Sequence, residues 1–246
     1  MKNTLIIAGI VTFSLTSCIK SLVCIDGNGL VEVQLRETPL FHSVENSTMV
    51  DVVYKIADTA GISILAESNL LSHIVTETSN GRLEIKTDPR NACFDNNQTP
   101  VITITSPSLD NIVLTGSGDF TADLVTGNLV DFKITGSGDI DAGIISCNEL
   151  SITITGSGDI DIDDGTCDEA DFTLSGSGDL SIEGSSDEGI FRVTGSGDIN
   201  SGDFLMMSAT ETISGSGNIY TWVENTLNAT LSGSGNLYLR GDPVVT

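Results

Sequence analysis

Along the C-terminal half of the chain, apolar and polar residues alternate strictly, and the alternation restarts at regular intervals. Phe132, Ile134, Gly136, Gly138, Ile140 and Ala142 share one parity, while Lys133, Thr135, Ser137, Asp139 and Asp141 share the other. The template returns as Ile152, Ile154, Gly156, Gly158, Ile160, Ile162, as Phe172, Leu174, Gly176, Gly178, Leu180, Ile182, and as Ile213, Gly215, Gly217, Ile219. A period of two predicts strands with one buried and one solvated face. Each restart is marked by Gly-Ser-Gly-Asp or Gly-Ser-Gly-Asn, beginning at Gly116, Gly136, Gly156, Gly176, Gly195, Gly215 and Gly233, at intervals of 20, 20, 20, 19, 20 and 18 residues. Such a period, with no 3.6-residue pattern inside it, predicts a solenoid with one coil per repeat. The 19-residue interval keeps the phase, because Phe191 and Val193 move with the motif.

Strands this short cannot bury their apolar side alone, so the coils must stack with parallel strands about 4.8 Å apart, giving a rod of roughly 34 Å for seven coils. The fold class is therefore all-β, a parallel β-helix. Glycine at two inward positions of each motif leaves no side chain there and permits positive φ, which predicts a narrow corner between the two strands of a coil.

Residues 24–111 lack the repeat yet read as strand-rich. Gly29–Leu35, Val50–Ile56, Gly61–Ala66, Gly81–Lys86 and Pro100–Thr105 alternate or run with β-branched residues. Asn80-Gly81 predicts a type I′ hairpin turn, and Asn69–Ile74 one or two helical turns. The role expected of this region is to cap the first coil, whose open edge would otherwise pair with another chain. The organisation expected is thus a signal peptide over residues 1–17, a lipidated tether over 18–23, a capping region over 24–111 and the β-helix repeats over 112–246.

The two N-terminal segments follow from Lys2, the apolar run Leu5–Phe13 and Leu15-Thr16-Ser17-Cys18. The apolar stretch is too short to span a bilayer, as in a secretory signal. The final box resembles a bacterial lipobox, whose cysteine is acylated, so Cys18 is the expected lipid attachment site and the membrane the expected partner through that anchor. Cys18 is followed by Ile19-Lys20-Ser21 rather than an acidic stretch, which leaves an outer-membrane lipoprotein facing the periplasm as well as one facing outward.

From Cys18 onward the chain has 9 basic and 34 acidic residues, a net charge of −25; residues 112–246 have 3 and 22, a net charge of −19. A polyanion would be repelled, so nucleic acid is excluded as a partner. Four cysteines remain, Cys24, Cys93, Cys147 and Cys167, allowing three pairings in an exported protein. Cys147 and Cys167 each lie 11 residues after the first glycine of their motif, so they should stack one coil apart, either bridged or as two free thiols. A Cys24–Cys93 bridge would close the N-terminal region.

Several stretches carry a family resemblance. They are Cys24-Ile25-Asp26-Gly27-Asn28-Gly29, Val31–Phe41, Ile74-Val75-Thr76-Glu77-Thr78-Ser79-Asn80-Gly81-Arg82-Leu83-Glu84-Ile85, and Leu109–Asp119 leading into the repeats. From Cys24 to Gly241 the chain resembles the putative auto-transporter adhesin head GIN domain family of Bacteroidetes lipoproteins. The resemblance implies a β-helical fold and a place in the cell envelope.

Many parallel β-helices cleave polysaccharides, so a carbohydrate-active lyase or hydrolase is the alternative function. That chemistry needs acidic residues converging with a cation or proton donor over a groove. Here the repeats hold no histidine, the two being His42 and His73, and Lys133, Arg192 and Arg240 are coils apart. No catalytic residue, cofactor or metal ligand is assigned. The most unusual surface is an outward ladder of Asp119, Asp139, Asp159, Asp179, Asp198, Asn218 and Asn236. Stacked carboxylates admit calcium, but Asn in the last two motifs indicates that an acceptor oxygen for a backbone N–H is what the position requires. Arg240-Gly241-Asp242 reads as the turn ending the last coil. The expected function is a non-enzymatic envelope lipoprotein that binds a glycan or protein ligand through a rigid, repetitive face.

Overall fold

A computed structural model describes residues 24–246. The signal segment, the tether and the acylation expected at Cys18 lie outside the described residues. No described helix is long and apolar enough to cross a membrane.

The repeats form a β-solenoid of parallel, in-register strands. In one coil, Leu129–Ile134 leads through the Gly-Ser-Gly-Asp bend into Ile140–Ser146. Each strand pairs with its counterpart one repeat on, as Phe132 with Ile152 and Ile140 with Ile160. In later coils the second strand of one coil runs directly into the first of the next, giving the long strands Ile160–Leu174, Leu180–Val193, Ile199–Ile213 and Ile219–Leu231.

The inward parity stacks into continuous columns: Ile112, Phe132, Ile152, Phe172 and Phe191 form one, all fully buried. Phe172 and Phe191 stack with ring centroids 4.6 Å apart. The residue missing from the 19-residue repeat is taken out at Gly165/Gly184, away from the motif. Phe172 therefore still pairs with Phe191 and Leu174 with Val193, as the sequence phase requires.

The motif glycines are needed for the close approach of the neighbouring coil and not for positive φ. Positive φ occurs at Gly29, Gly81, Gly184 and Gly241, none of them in a motif. Instead, a Cβ at Gly138, Gly158 or Gly178 would lie 2.0–2.2 Å from the carbonyl oxygen of the equivalent glycine one coil earlier. At the bend the Cα hydrogens point along the stack, so the bends rest backbone on backbone. Main-chain bonds continue through them: Ser157 N–H donates to Gly136 O and Ser177 N–H to Gly156 O, both at 3.0 Å.

Stacking extends below the first motif. Ser43–Asn46 pairs in parallel with Asn111–Leu114 above and Arg82–Ile85 below, while Asp51–Ile56 pairs with Phe120–Ala122 and with Val101–Ser106. Its corner, Asn46-Ser47-Thr48-Met49-Val50-Asp51, has no glycine. Buried Asn46 shapes it: Oδ1 accepts from the Thr48 N–H and hydroxyl, and Nδ2 donates to Val50 O at 2.8 Å.

Antiparallel strands then close the lower edge. Ile74–Ser79 pairs with Arg82–Thr87 across the predicted Asn80-Gly81 turn, where both residues have positive φ. Gly61–Glu67 covers Val101–Ser106, and Val31–Arg36 covers Gly61–Glu67. The helical turns expected at Asn69–Ile74 reduce to a single 3-10 turn, Leu71–His73.

A Cys24–Cys93 disulfide, with Cα atoms 4.6 Å apart, ties down the opening segment. Beneath it the buried Glu67 carboxylate accepts from the backbone N–H groups of Gly29 and Asn97, which hold its pKa below the usual range. Gly27 leaves room for that carboxylate. Cys147 and Cys167 sit on consecutive coils as free thiols, Cys167 buried in the core. The neighbouring thiol draws the Cys147 pKa down and, with burial, pushes that of Cys167 up.

One acid lies inside the stack. Glu211, 1% exposed, pairs in register with Phe191 on one side and Ala229 on the other. Neither carboxylate oxygen has a hydrogen-bond partner, nor does the buried Thr221 hydroxyl.

Candidate binding surface

The outward parity of the bend and its flanking strands forms one long face. Thr115, Thr135, Thr155, Ser175, Thr194, Ser214 and Ser232 make one exposed row, and the single serine of each motif the next. Because the strands are in register, each group recurs at every coil.

The Asp/Asn ladder is bonded coil to coil. The backbone N–H of Asp139 donates to Asp119 Oδ1 at 3.0 Å, Asp159 to Asp139 at 2.8 Å, Asp179 to Asp159 at 2.7 Å and Asp198 to Asp179 at 2.7 Å. Asn218 N–H continues to Asp198 Oδ1 at 2.6 Å and Asn236 N–H to Asn218 Oδ1 at 3.0 Å. At this point the chain turns, and the side chain of the previous coil supplies the acceptor for that N–H. The first member is Asp51, whose Oδ1 accepts from Asp119 N–H at 3.1 Å. Sequence reasoning missed Asp51 because its corner has no motif; the only signal was the alternation Val50-Asp51-Val52 leading into a strand. Burial raises the Asp51 pKa, and the neighbouring Asp119 charge adds to the rise while its N–H opposes it.

Thus Asp159→Asn, which keeps the acceptor, should leave stability within about 0.5 kcal/mol, whereas Asp159→Ala should lower it by about 1 kcal/mol by orphaning the Asp179 N–H. Urea denaturation of both variants is the check. Since the acceptor rather than a metal satisfies these groups, a chelator should not change the melting temperature of the wild type.

Beside the ladder runs a second acidic row, and Asp119, Asp139, Asp141, Asp159 and Asp161 line a shallow cleft with Thr121. Burial raises the Asp161 pKa, and the charges of Asp141, Asp159 and Asp139 raise it further. Among the described residues, no group of three His, Cys, Asp or Glu side chains has the geometry to hold a metal ion.

The cations are dispersed. His42 lies 3.4 Å from Asp110, and His73 Nδ1 contacts Asp88 O, both in the N-terminal region. Arg192 is paired with Asp171 at 2.9 Å and Arg240 with Asp203 at 2.7 Å, on separate parts of the rod. The arrangement offers repeated hydroxyl, carboxylate and amide groups for surface contact. Among the described residues of the outward solenoid face, an acid, a base and a cation do not meet over one point; in the N-terminal region Lys86 is paired with Glu77 at 2.7 Å and Glu84 at 3.1 Å in a shallow cleft that Arg90 also lines.

A second cluster escaped the sequence reading: Tyr220 and Tyr238 stack with ring centroids 4.6 Å apart, and the Arg240 guanidinium lies 3.8 Å from the centre of the Trp222 ring. Arg240 is therefore engaged with its own chain. Gly241, at φ +103°, makes the turn that follows it.

Comparison with known proteins agrees with this architecture. The model of the family described as "Putative auto-transporter adhesin, head GIN domain" matches residues 40–184 and again residues 152–243. Among solved structures, a putative lipid binding protein from Parabacteroides distasonis is 26% identical, with a TM-score of 0.84 over 90% of this chain and 94% of that one. A putative adhesin from Parabacteroides merdae is 19% identical, with a TM-score of 0.82 over 90% and 93% of the two chains. Another, from Bacteroides fragilis, is 20% identical, with a TM-score of 0.67 over 90% and 98%. No curated protein is significantly similar.

Proposed function

The chain belongs to the putative auto-transporter adhesin, head GIN domain family, and from that premise we propose that it is a non-enzymatic, lipid-anchored envelope protein that binds a glycan or protein through the outward face of its solenoid. The observation that carries the reading is the exposed face itself, on which the same hydroxyl, carboxylate or amide groups recur at every coil in register. Many weak contacts to a repeating polymer or a cell surface sum to useful avidity without a deep pocket. The dispersal of the histidines and the pairing of Arg192 and Arg240 with carboxylates support binding over turnover.

The anchor proposed is a lipid on Cys18, holding the protein in the outer membrane. Two acyl chains suffice for stable attachment. Cells fed a fatty-acid analogue should label the wild type and not Cys18→Ser; equal labelling of both would refute the anchor.

The function is tested by screening the soluble domain against arrays of glycans and host matrix proteins while following release of reducing sugar. Saturable binding without product is expected. Sustained product release in proportion to protein concentration would overturn the reading.

A further inference from the structure

The aromatic residues are distributed unevenly. The chain has one tryptophan and three tyrosines. Tyr54 is buried, its hydroxyl donating to Ser106 O at 3.0 Å. The other three, Tyr220, Trp222 and Tyr238, stand together on the outward side of the last two coils of the solenoid. Tyr220 and Tyr238 are 36% and 49% exposed.

The column that contains them runs Thr121, Asp141, Asp161, Ser181, Asn200, Tyr220, Tyr238. Five coils place a small polar or acidic residue there, and the last two place tyrosine. In the same two coils the neighbouring ladder changes from Asp to Asn, at Asn218 and Asn236. The ladder carboxylates thus give way to amides where the aromatic rings appear, and the acids that remain nearby, Glu224 and Asp203, are engaged by Trp222 and Arg240.

The cluster is also held rigidly. Tyr220 and Trp222 are two residues apart on one strand, hence on the same side, with Cα atoms about 6.6 Å apart. The Tyr220 and Tyr238 rings are within 9° of parallel. Arg240 lies over Trp222 and is fixed from behind by hydrogen bonds to Gly202 O at 3.0 Å and Asp203 Oδ1 at 2.7 Å. Trp222 Nε1 donates to Glu224 Oε1 at 3.1 Å. The two amides are fixed too, Asn236 Nδ2 donating to Asn218 Oδ1 at 3.1 Å.

Core packing does not require any of this, since the columns facing inward are complete without these rings. A flat aromatic face matches the C–H face of a pyranose ring, and phenol hydroxyls and amides match its equatorial hydroxyls. Preformed rings bind with little loss of side-chain freedom. The −19 charge of the repeats disfavours an acidic sugar, while beside the tyrosines the ladder carries amides in place of carboxylates.

Resting on the binding reading above, we infer that Tyr220, Trp222 and Tyr238, with Asn218 and Asn236, form a binding site for a neutral glycan, the sugar ring lying against the face of Tyr238 that Tyr220 does not cover. The cap and the Cys24–Cys93 disulfide lie at the other end of the stack. The site is therefore at the end of the rod away from the chain's N-terminal attachment.

Trp222, the only tryptophan, reports on the site directly. Its fluorescence in the complete mature domain can be titrated with gluco-, manno-, galacto- and N-acetylglucosamine hexasaccharides, using a hyaluronan hexasaccharide as the acidic control. Saturable change with at least one neutral sugar and none with hyaluronan is expected. Tyr238→Ala should weaken that affinity at least tenfold. Asn236→Asp, which keeps the backbone N–H bond to Asn218 Oδ1 but exchanges the amide donor for a charge, should weaken it severalfold and serves as the second test if Tyr238→Ala loosens the last coil.

Thr166→Ala, exposed beside Gly165 and away from the motif bends, is the control and should change the affinity less than twofold; Thr135→Ala/Thr155→Ala, on the mid-rod face, is the variant that binding through the repetitive face alone would weaken. Loss of sugar binding in that variant with retention in Tyr238→Ala would overturn this site and leave the scaffold reading standing. No response to any neutral hexasaccharide at 10 mM, on the order of the weakest useful lectin-like contact, would also overturn it. So would sedimentation showing that Tyr238→Ala only converts a dimer into a monomer, which would make the patch a contact between copies.

Discussion

Gly158→Ala is expected to lower stability by about 3 kcal/mol or more, enough to unfold much of the solenoid at 37 °C. The added Cβ would lie 2.0 Å from Gly138 O and 2.8 Å from its carbonyl carbon. Both are backbone atoms, so no rotamer change relieves the contact, and two coils must separate by more than an ångström against their hydrogen-bond ladder. The usual gain from replacing glycine, at most about 1 kcal/mol through the unfolded chain, is too small to offset this. Gly202→Ala is the matched control, because a Cβ there meets nothing within 4 Å. It should stay within about 0.5 kcal/mol of wild type in urea denaturation. Equal tolerance of both substitutions would show that the bends do not rest on one another.

The second large effect is at Glu211. Burial without a hydrogen-bond partner pushes its carboxyl up to about 7 from an ordinary value of 4.5. The folded state therefore holds a proton that the unfolded state releases. Stability is fully present below pH 4.5, falls as pH rises toward 7 and levels off above it, a loss of roughly 3 kcal/mol. Glu211→Leu removes this titration. Compared with wild type it should gain about 3 kcal/mol more at pH 8 than at pH 4, since every other carboxylate is common to both proteins and cancels. Parallel slopes of stability against pH for the two proteins would refute the assignment.

Much of the fold was legible because its dominant signal is local. Parity fixed which side of each strand is buried, and the position of the glycines fixed the phase, so pairs such as Phe172–Phe191 followed across an irregular interval. Five of the predicted N-terminal strands appear within a residue or two of their expected ends. What escaped was information carried between coils. The positive φ that glycine permits is not used at the motifs; their constraint is the approach of the neighbouring coil, through the carbonyl of the equivalent glycine one coil earlier. The Ser43–Asn46 rung was missed because Asn46 builds its bend without glycine, and Asp51 with it.

The candidate site was legible only in part. The Asp/Asn ladder was expected to supply acceptors for backbone N–H groups of its own turns; the bonds run from coil to coil instead. Tyr220, Trp222 and Tyr238 looked unremarkable in sequence. Their alignment follows the motif phase, Tyr220 and Tyr238 each lying two residues after the motif asparagine and Trp222 and Arg240 four, but the stacking of the rings and the seat of Arg240 on Trp222 appear only when the coils are assembled.

The central claim is that each repeat is an interchangeable layer whose phase is set by its motif and whose outward face is thereby kept in register. Deleting Thr135–Ile154 joins Ile134 to Thr155 and removes one layer in phase. Deleting residues 136–154 instead leaves one extra residue and inverts the parity at the junction, which would turn the core column outward. Equilibrium unfolding of the two full-length deletion variants, followed by far-UV circular dichroism, separates the alternatives. The account predicts a cooperative, β-rich protein for the first and collapse of the solenoid for the second. Equal stability of the two, or loss of structure in the in-phase deletion, would contradict it.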